Sequence, residues 1–301
     1  MIPHSVRSLS TELSRTAVIV LNWNGWRDTL ECVKSLRGLQ KCDYTIYIVD
    51  NASTDDSIMQ IKSELNDIEI IESEENLGFS GGNNLAMSRV LLEDFDYIWL
   101  LNNDTIVEEN TLFELVKKLK SDERLGMIGA AIYEYYSRGE IQCWGGGGMF
   151  TPLALTWLFK TEQPDEKLAH ILGASMFIRK QVVEEIGLLD ENFFFFIEDT
   201  DYSIRVKKAN YNLGIASNAK VYHKGGSSLK KVDFHRNIKA DIYYNYSLGY
   251  FMRKHGNGLL LIFRSLFLVI NRILRREVYR IPILLRSLYS GYYLKNKEKI
   301  S

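Results

Sequence analysis

Three carboxylates crowd one short stretch, FFFFIEDTDYSIR (Phe193–Arg205), where Glu198, Asp199 and Asp201 follow four consecutive phenylalanines. The phenylalanines read as a buried strand, and negative charge carried to the edge of an apolar core is costly without a partner. A cation, a helix N-terminus or a proton taken from a substrate would compensate it. A helix beginning near Thr200 accounts for Asp201, because the helix dipole favours an acid there and Arg205 lies one turn on. Glu198 and Asp199 are left over. A carboxylate among apolar neighbours acquires a raised pKa and can act as a general base, so the pair reads as acid–base machinery.

A second set of polar residues recurs just after apolar runs: NWN (Asn22–Asn24), VDNAS (Val49–Ser53), ENLGFSGGNN (Glu75–Asn84) and LLNND (Leu100–Asp104). Asp50 and Asn51 make either a turn device or an acceptor for a nucleobase or ribose. Gly78, Gly81 and Gly82 fit neither G-x-G-x-x-G nor G-x-x-x-x-G-K-[ST], but glycines before a helix permit close approach of a ligand. Asn102–Asp104 is either a strand-end turn or a site for a hard divalent cation completed by phosphates. His223, in VYHKGGSS, is an ordinary surface histidine unless it lies near Asp104, where an imidazole would suit Mn2+ better than Mg2+.

The elements that must position these groups alternate. Strand-like runs (Ala17–Asn22, Tyr44–Asp50, IEIIES, Tyr97–Leu101, GMIGAAIY) are separated by helical patterns near 27–39, 80–92 and 108–119, with Ser53 or Thr54 as a helix cap between. Such alternation argues for βαβ units and a mostly parallel sheet, with ligands beyond the carboxyl ends of the strands. From Glu134 to Pro164 the pattern dissolves into glycines and aromatics, read as a mobile functional loop. A second core segment follows: GASMFIRK, a short helix near Gln181–Ile186, the phenylalanine run, a helix from Thr200, and LGIASNAKVYHKGG.

Bulk properties set limits. The 301 residues are 46% hydrophobic and 25% charged, as in ordinary globular proteins, and the net charge of −1 points to no nucleic acid. Residues 251–301 hold eleven Lys or Arg against two Glu, so this tail is +9 and the remainder about −10. Three cysteines without metal-type spacing suit a reducing, cytoplasmic setting, and the first fifteen residues read as a flexible lead-in. The tail is apolar and basic together, interrupted by Arg264 and Arg272. It fits a helix lying in a membrane interface, or a helix pair packed on the body or on a second subunit, with Pro282 dividing it.

The ordered series VIVLNWNG, VDNASTD, NLGFSGGNN, LLNND, GASMFIRK, GLLDENFFFFIEDTDYSIRVKKANY and VYHKGGSS resembles glycosyltransferase family 2 over roughly Ala17 to Ser228, and within it the rhamnosyltransferase-like branch of bacterial cell-surface polysaccharide enzymes. The resemblance implies a GT-A fold, an α/β architecture with a Rossmann-like, mostly parallel central sheet flanked by helices. It further implies an inverting enzyme with a nucleotide-sugar donor and a divalent metal, Mn2+ or Mg2+. By position, Asn22, Asn24, Asp50 and Asn51 would surround the nucleotide, Gly78 and Asn83 the diphosphate or ribose, with Asn102 and Asn103 also on the donor. Asp104 would be the last carboxylate of the family's metal-binding D-x-D, whose first position here is the amide Asn102, and His223 its later metal-associated histidine. Asp199 would be the base, with Glu198 positioning the acceptor or tuning it, and Gly173, Ala174, Ser175 and Trp144 would line the acceptor or sugar pocket.

The expected activity is transfer of L-rhamnose from dTDP-L-rhamnose to a growing, lipid-linked glycan. A UDP-sugar hexosyl or N-acetylhexosaminyl transferase and a non-catalytic sugar-nucleotide scaffold stay open. The expected organisation is a transferase domain over 16–250, with a nucleotide half at 16–133 and an acceptor half at 165–250. A helical tail over 251–301 would touch the cytoplasmic face of the inner membrane, and the reading leaves room for a homo-oligomer.

Overall fold

Short β-branched runs and amphipathic helices alternate along the first hundred residues, and they build one half of a nine-stranded sheet. β1 (Arg15–Asn22), α1 (Trp26–Leu36), β2 (Asp43–Asp50), α2 (Ser57–Glu64), β3 (Glu69–Glu72), α3 (Gly78–Val90) and β4 (Tyr97–Asn102) form the parallel half, in the order β3-β2-β1-β4. The structure is a computed structural model and describes residues 14–150, 154–225, 238–256 and 258–293. Thirteen residues of the expected lead-in, Gly226–Ser228 of the VYHKGGSS motif and the basic tail end after 293 lie outside them.

The sheet continues through a mixed half. β5 (Thr105–Val107), α4 (Thr111–Lys120), β6 (Leu125–Glu134), β11 (Ser175–Arg179), α5 (Lys180–Ile186), α6 (Glu198–Lys208) and β12 (Asn212–His223) complete the order as β4-β11-β6-β12-β5. β11 runs antiparallel to both neighbours, β12 is parallel to β6 and antiparallel to β5. Alternate residues of each central strand face opposite sides, and both sides are covered. Val18, Val20, Trp99 and Leu101 pack towards α1 and α4, while Ile19, Val49, Ile98 and Leu100 pack towards α3 and α6.

Three expectations are corrected. Half of the described residues of 134–164 are strand: β7 (Ile141–Trp144) extends the main sheet, while β8 (Gly146–Phe150) and β9 (Leu155–Leu158) join β10 (His170–Ile171) in a second sheet ordered β10-β8-β9. The glycine run permits tight strand contact, since a Cβ on Gly147 would stand 1.9 Å from the Trp157 carbonyl oxygen. Phe193–Phe196 is a turn, not a strand, with Phe196 and Ile197 in left-handed backbone (φ 72° and 69°). Its rings grip α7 (Ile238–His255) instead: Phe193 meets Tyr250 edge-on at 4.9 Å and Phe194 stacks on Tyr243 at 5.0 Å. Finally, neither Ser53 nor Thr54 caps α2; Asp55 accepts the Ser57 amide at 3.0 Å, and Ser53 is committed to Asp50.

After α7 come α8 (Gly258–Leu274) and α9 (Ile281–Tyr293), with Pro282 in the first turn of α9, so the break falls where a proline is tolerated. The expected division at 250/251 lies inside α7. Among the described residues no helix is long and apolar enough to cross a membrane.

Candidate active site

Register brings the polar strand ends together. Asn22 lies opposite Asp50, Asp50 opposite Glu72, and Asn102 opposite Leu21. Most of these groups satisfy one another. Asn103 Nδ2 donates to Thr29 Oγ1 (3.0 Å), Thr29 Oγ1 to Asn22 Oδ1 (2.8 Å) and Asn22 Nδ2 to Asp50 Oδ1 (2.7 Å). The Ser53 hydroxyl and amide close on the same carboxylate at 2.6 and 2.9 Å. A chain of donors running one way into a carboxylate polarises each link, and it fixes Asp50 rigidly at the strand end.

Asn24 and Asn51 are clasps as well. Asn24, at φ 52°, accepts the amides of Thr54 and Asp55, and Asn51 donates to Asn76 and the Gly78 carbonyl while accepting the Leu77 amide. The expected anion cradle at the start of α3 is occupied by the protein itself. The amides of Leu77, Gly78 and Phe79 go to Asn51, Asn76 and the Phe194 carbonyl. The room beside Gly78, Gly81 and Gly82 is likewise taken by Phe194, Leu77 and Leu21. Asn83 bonds back to the Phe79 carbonyl at 2.9 Å.

β5 pairs with the end of β12, which sets His223 opposite Thr105 and so beside Asp104. His223 Nε2 stands 3.2 Å from Asp104 Oδ1, both side chains being largely buried, yet the nitrogen makes no hydrogen bond among the described residues. Nδ1 lies 2.6 Å from Gln142 Oε1, which can accept its proton, and in the neutral tautomer this sets the Nε2 lone pair towards a carboxylate. That juxtaposition is repulsive without a proton or cation between. One carboxylate and one imidazole whose tautomer is fixed from behind fit a divalent cation completed by phosphate and water. No group of three or more His, Cys, Asp or Glu converges among the described residues, so such a cation would depend on the nucleotide for its remaining ligands.

Across the loop before β11 sits the acid pair. The Ala174 carbonyl accepts the Asn102 amide at 3.1 Å, and the adjacent Gly173 amide donates to Asp199 Oδ2 at 2.9 Å. The Gly173–Ala174 peptide therefore joins the Asn102–Asp104 strand end to the first turn of α6. Asp199 Oδ1 accepts the Thr200 amide and hydroxyl at 2.6 and 3.1 Å. Glu198 is buried, its Oε2 has no partner among the described residues, and burial, reinforced by the charge of Asp199, pushes its pKa well above the usual carboxylate range. The raised acid anticipated from apolar neighbours is thus Glu198.

The remaining pocket candidates divide. Trp144 stays beside this loop, since the Leu172 amide donates to the next residue's carbonyl, Gly145 O, at 3.0 Å. Ser175 faces the core, fully buried and accepting the Trp99 indole N–H at 2.9 Å. Sequence reasoning missed Thr29, Ser53 and Gln142. Ser53, three residues after Asp50, carried a readable turn signal. Gln142 carried none, being brought to His223 across 81 residues of chain.

The sequence model for glycosyl transferase family 2 matches residues 17–187. Over 213 residues the chain is 25% identical to the low-salt glycan biosynthesis hexosyltransferase Agl10 of Haloferax volcanii, covering 68% of this chain and 65% of that one. Solved structures with the same fold include GalNAc-T7 with UDP, GalNAc and Mn2+ (TM-score 0.58, 16% identity, 70% of this chain and 44% of that one). They also include the mannosyltransferase PcManGT of Pyrobaculum calidifontis with GDP-Man and Mn2+ (TM-score 0.57, 13% identity, 95% and 89%). The chain thus spans less than two thirds of the length of Agl10 and of GalNAc-T7. The fold is GT-A-like, with a curled mixed sheet flanked by helices.

Proposed function

The chain belongs to glycosyl transferase family 2, and from that premise we propose that it moves a sugar from a nucleotide-sugar donor to a hydroxyl of a growing, lipid-linked cell-surface glycan, with inversion at the sugar. L-Rhamnose from dTDP-L-rhamnose is the donor the motif series favours, and the tail would hold the enzyme at the cytoplasmic face of the membrane that carries the acceptor. What carries the reading is the Gly173–Ala174 peptide, which ties a strand end bearing cation-type ligands to a carboxylate pair on α6.

Each residue then has a task. Asp50, fixed by Asn22 and Ser53, has lone pairs left to receive an N–H or O–H of the nucleoside. Asp199, held by Gly173 and Thr200, takes the proton of the attacking acceptor hydroxyl. Glu198, which burial and the Asp199 charge bias towards its protonated form, would offer an O–H that orients that hydroxyl or its ring neighbour. Asp104 and His223 would hold Mn2+ or Mg2+, which supplies positive charge to the departing diphosphate.

Thermal stability measured with dTDP, UDP or GDP, each with and without Mn2+, tests the reading. A nucleotide at a hundred times its Kd stabilises the folded state by about 2.7 kcal/mol. The expected result is a shift with dTDP that requires Mn2+ and is lost in His223→Ala. A shift with UDP alone moves the assignment to a UDP-sugar enzyme, and no shift with any nucleotide overturns donor binding in favour of a scaffold.

A further inference from the structure

α8 keeps an apolar stripe facing outward and sends cations inward, the reverse of a helix that lies free in water. Its outward stripe is apolar throughout: Leu259, Ile262, Phe263, Leu266, Ile270 and Leu274 recur at helical spacing, each more than half exposed among the described residues. Its inward side mixes Leu261 and Leu268 with polar groups, Arg264, Ser265 and Arg272, turned towards α7 and the turn after α8. Arg272 is paired there with Asp241 and Glu277. Among the described residues Arg264 has no such counter-charge: it is 92% buried, Nη1 has no hydrogen-bond partner there, and the guanidinium meets the Tyr244 hydroxyl and the Phe267 ring. Leaving a buried cation without a counter-charge is costly.

Arg264 lines a half-open cavity of about 180 Å³ between α7 and α8, with Tyr244, Asn245, Phe267, Asn271, Arg275 and the acid-paired Arg272 around it. The space is large enough for several waters, or for a compact anion with part of its hydration. Arg275 and Arg276 extend the positive charge at the exposed end of the helix. A buried cation beside an outward apolar stripe suits an anionic amphiphile, whose acyl chains would meet the stripe and whose phosphodiester would meet the guanidinium.

We propose that the α7–α8 cavity seats the headgroup phosphate of an anionic phospholipid while α8 lies in the bilayer interface. This deepens the membrane placement proposed above, and it does not depend on which sugar is moved.

Co-sedimentation of the full chain with phosphatidylcholine vesicles containing 0 or 30% phosphatidylglycerol tests it. Wild type is expected to bind the anionic vesicles strongly and the neutral ones weakly. Leu266→Asp should abolish both, and Arg264→Gln should lower affinity for the anionic vesicles roughly tenfold while leaving the weak neutral binding unchanged. Arg276→Gln, an exposed cation outside the cavity, should cost no more than about threefold. The fold of each variant is checked by its melting temperature, which Arg264→Gln should raise in the absence of lipid. Equal losses in Arg264→Gln and Arg276→Gln would reduce the effect to diffuse charge and overturn the seat. No vesicle binding, or a dimer in solution that Leu266→Asp dissolves, would assign the stripe to a second copy instead. The nucleotide shifts are read on the same samples, so loss of lipid binding with those intact refutes the seat alone.

Discussion

At the scale of single residues, the acid pair divides its labour by environment. Glu198 is the buried member with an unpartnered oxygen, and Asp199 the member held by three donors. Burial and the neighbouring charge raise the Glu198 pKa in the folded state above its ordinary 4.5. A raised folded pKa means a contribution to stability that is present below 4.5 and lost as pH climbs through the folded value. Glu198→Gln removes that loss, so its melting temperature should equal the wild type's at pH 4 and exceed it at pH 8; a constant difference across that range would contradict the assignment. The sequence made the two acids visible together. Which one is buried depends on the left-handed turn at Phe196 and Ile197, and no residue type announced that turn. His223 beside Asp104 was legible only as a condition, because the pairing of β5 with β12 joins residues more than a hundred positions apart.

Elements explain why the site holds its shape. α6, which carries both acids, is tied to α7: Asp201 meets Lys254 and His255 at 2.8 and 2.6 Å, and Asp190 meets Lys254 and Tyr250 at 2.7 and 2.8 Å. Burial pushes the Asp190 pKa up, but Lys254, the Asn192 amide and Tyr250 together outweigh it and bring it to about 2, below the ordinary 3.8. That stabilisation is present above 3.8 and is lost as pH falls towards 2. Lys254→Met should therefore lower stability at pH 7 by roughly 1.5–3 kcal/mol and flatten the acid limb of the stability curve, measured by urea unfolding. Gly78 marks a second joint. It sits at φ +72°, and a Cβ would come 2.1 Å from the Phe194 carbonyl oxygen, so Gly78→Ala should cost about 1–2 kcal/mol from the backbone alone and more from the clash. The parallel strands were readable because two-sided burial writes continuous apolar runs. β8 was not, because its glycines, which allow close contact with β9, leave no apolar alternation to read.

For the whole molecule, two halves of a curled sheet meet at β4 and β11, and the candidate chemistry lies where the loops of both converge. α7, which holds only the first five residues of the +9 tail, is built into the body through the phenylalanine turn, whereas α8 keeps an apolar face outward. Composition gave the charge and hydropathy of the tail, but which helix faces inward is decided by contacts that only the fold supplies. The central claim is that donor binding and proton removal reside on different sides of the Gly173–Ala174 peptide. The measurement that tests it most directly compares wild type with Asp199→Asn. Calorimetric affinity for the nucleotide that gives the Mn2+-dependent shift is set beside the rate at which the corresponding nucleotide sugar is consumed. Asp199→Asn should bind within about threefold of wild type and turn over at least about a hundredfold more slowly, the range expected for loss of a general base. Undiminished turnover, or loss of nucleotide binding together with turnover, would contradict the account.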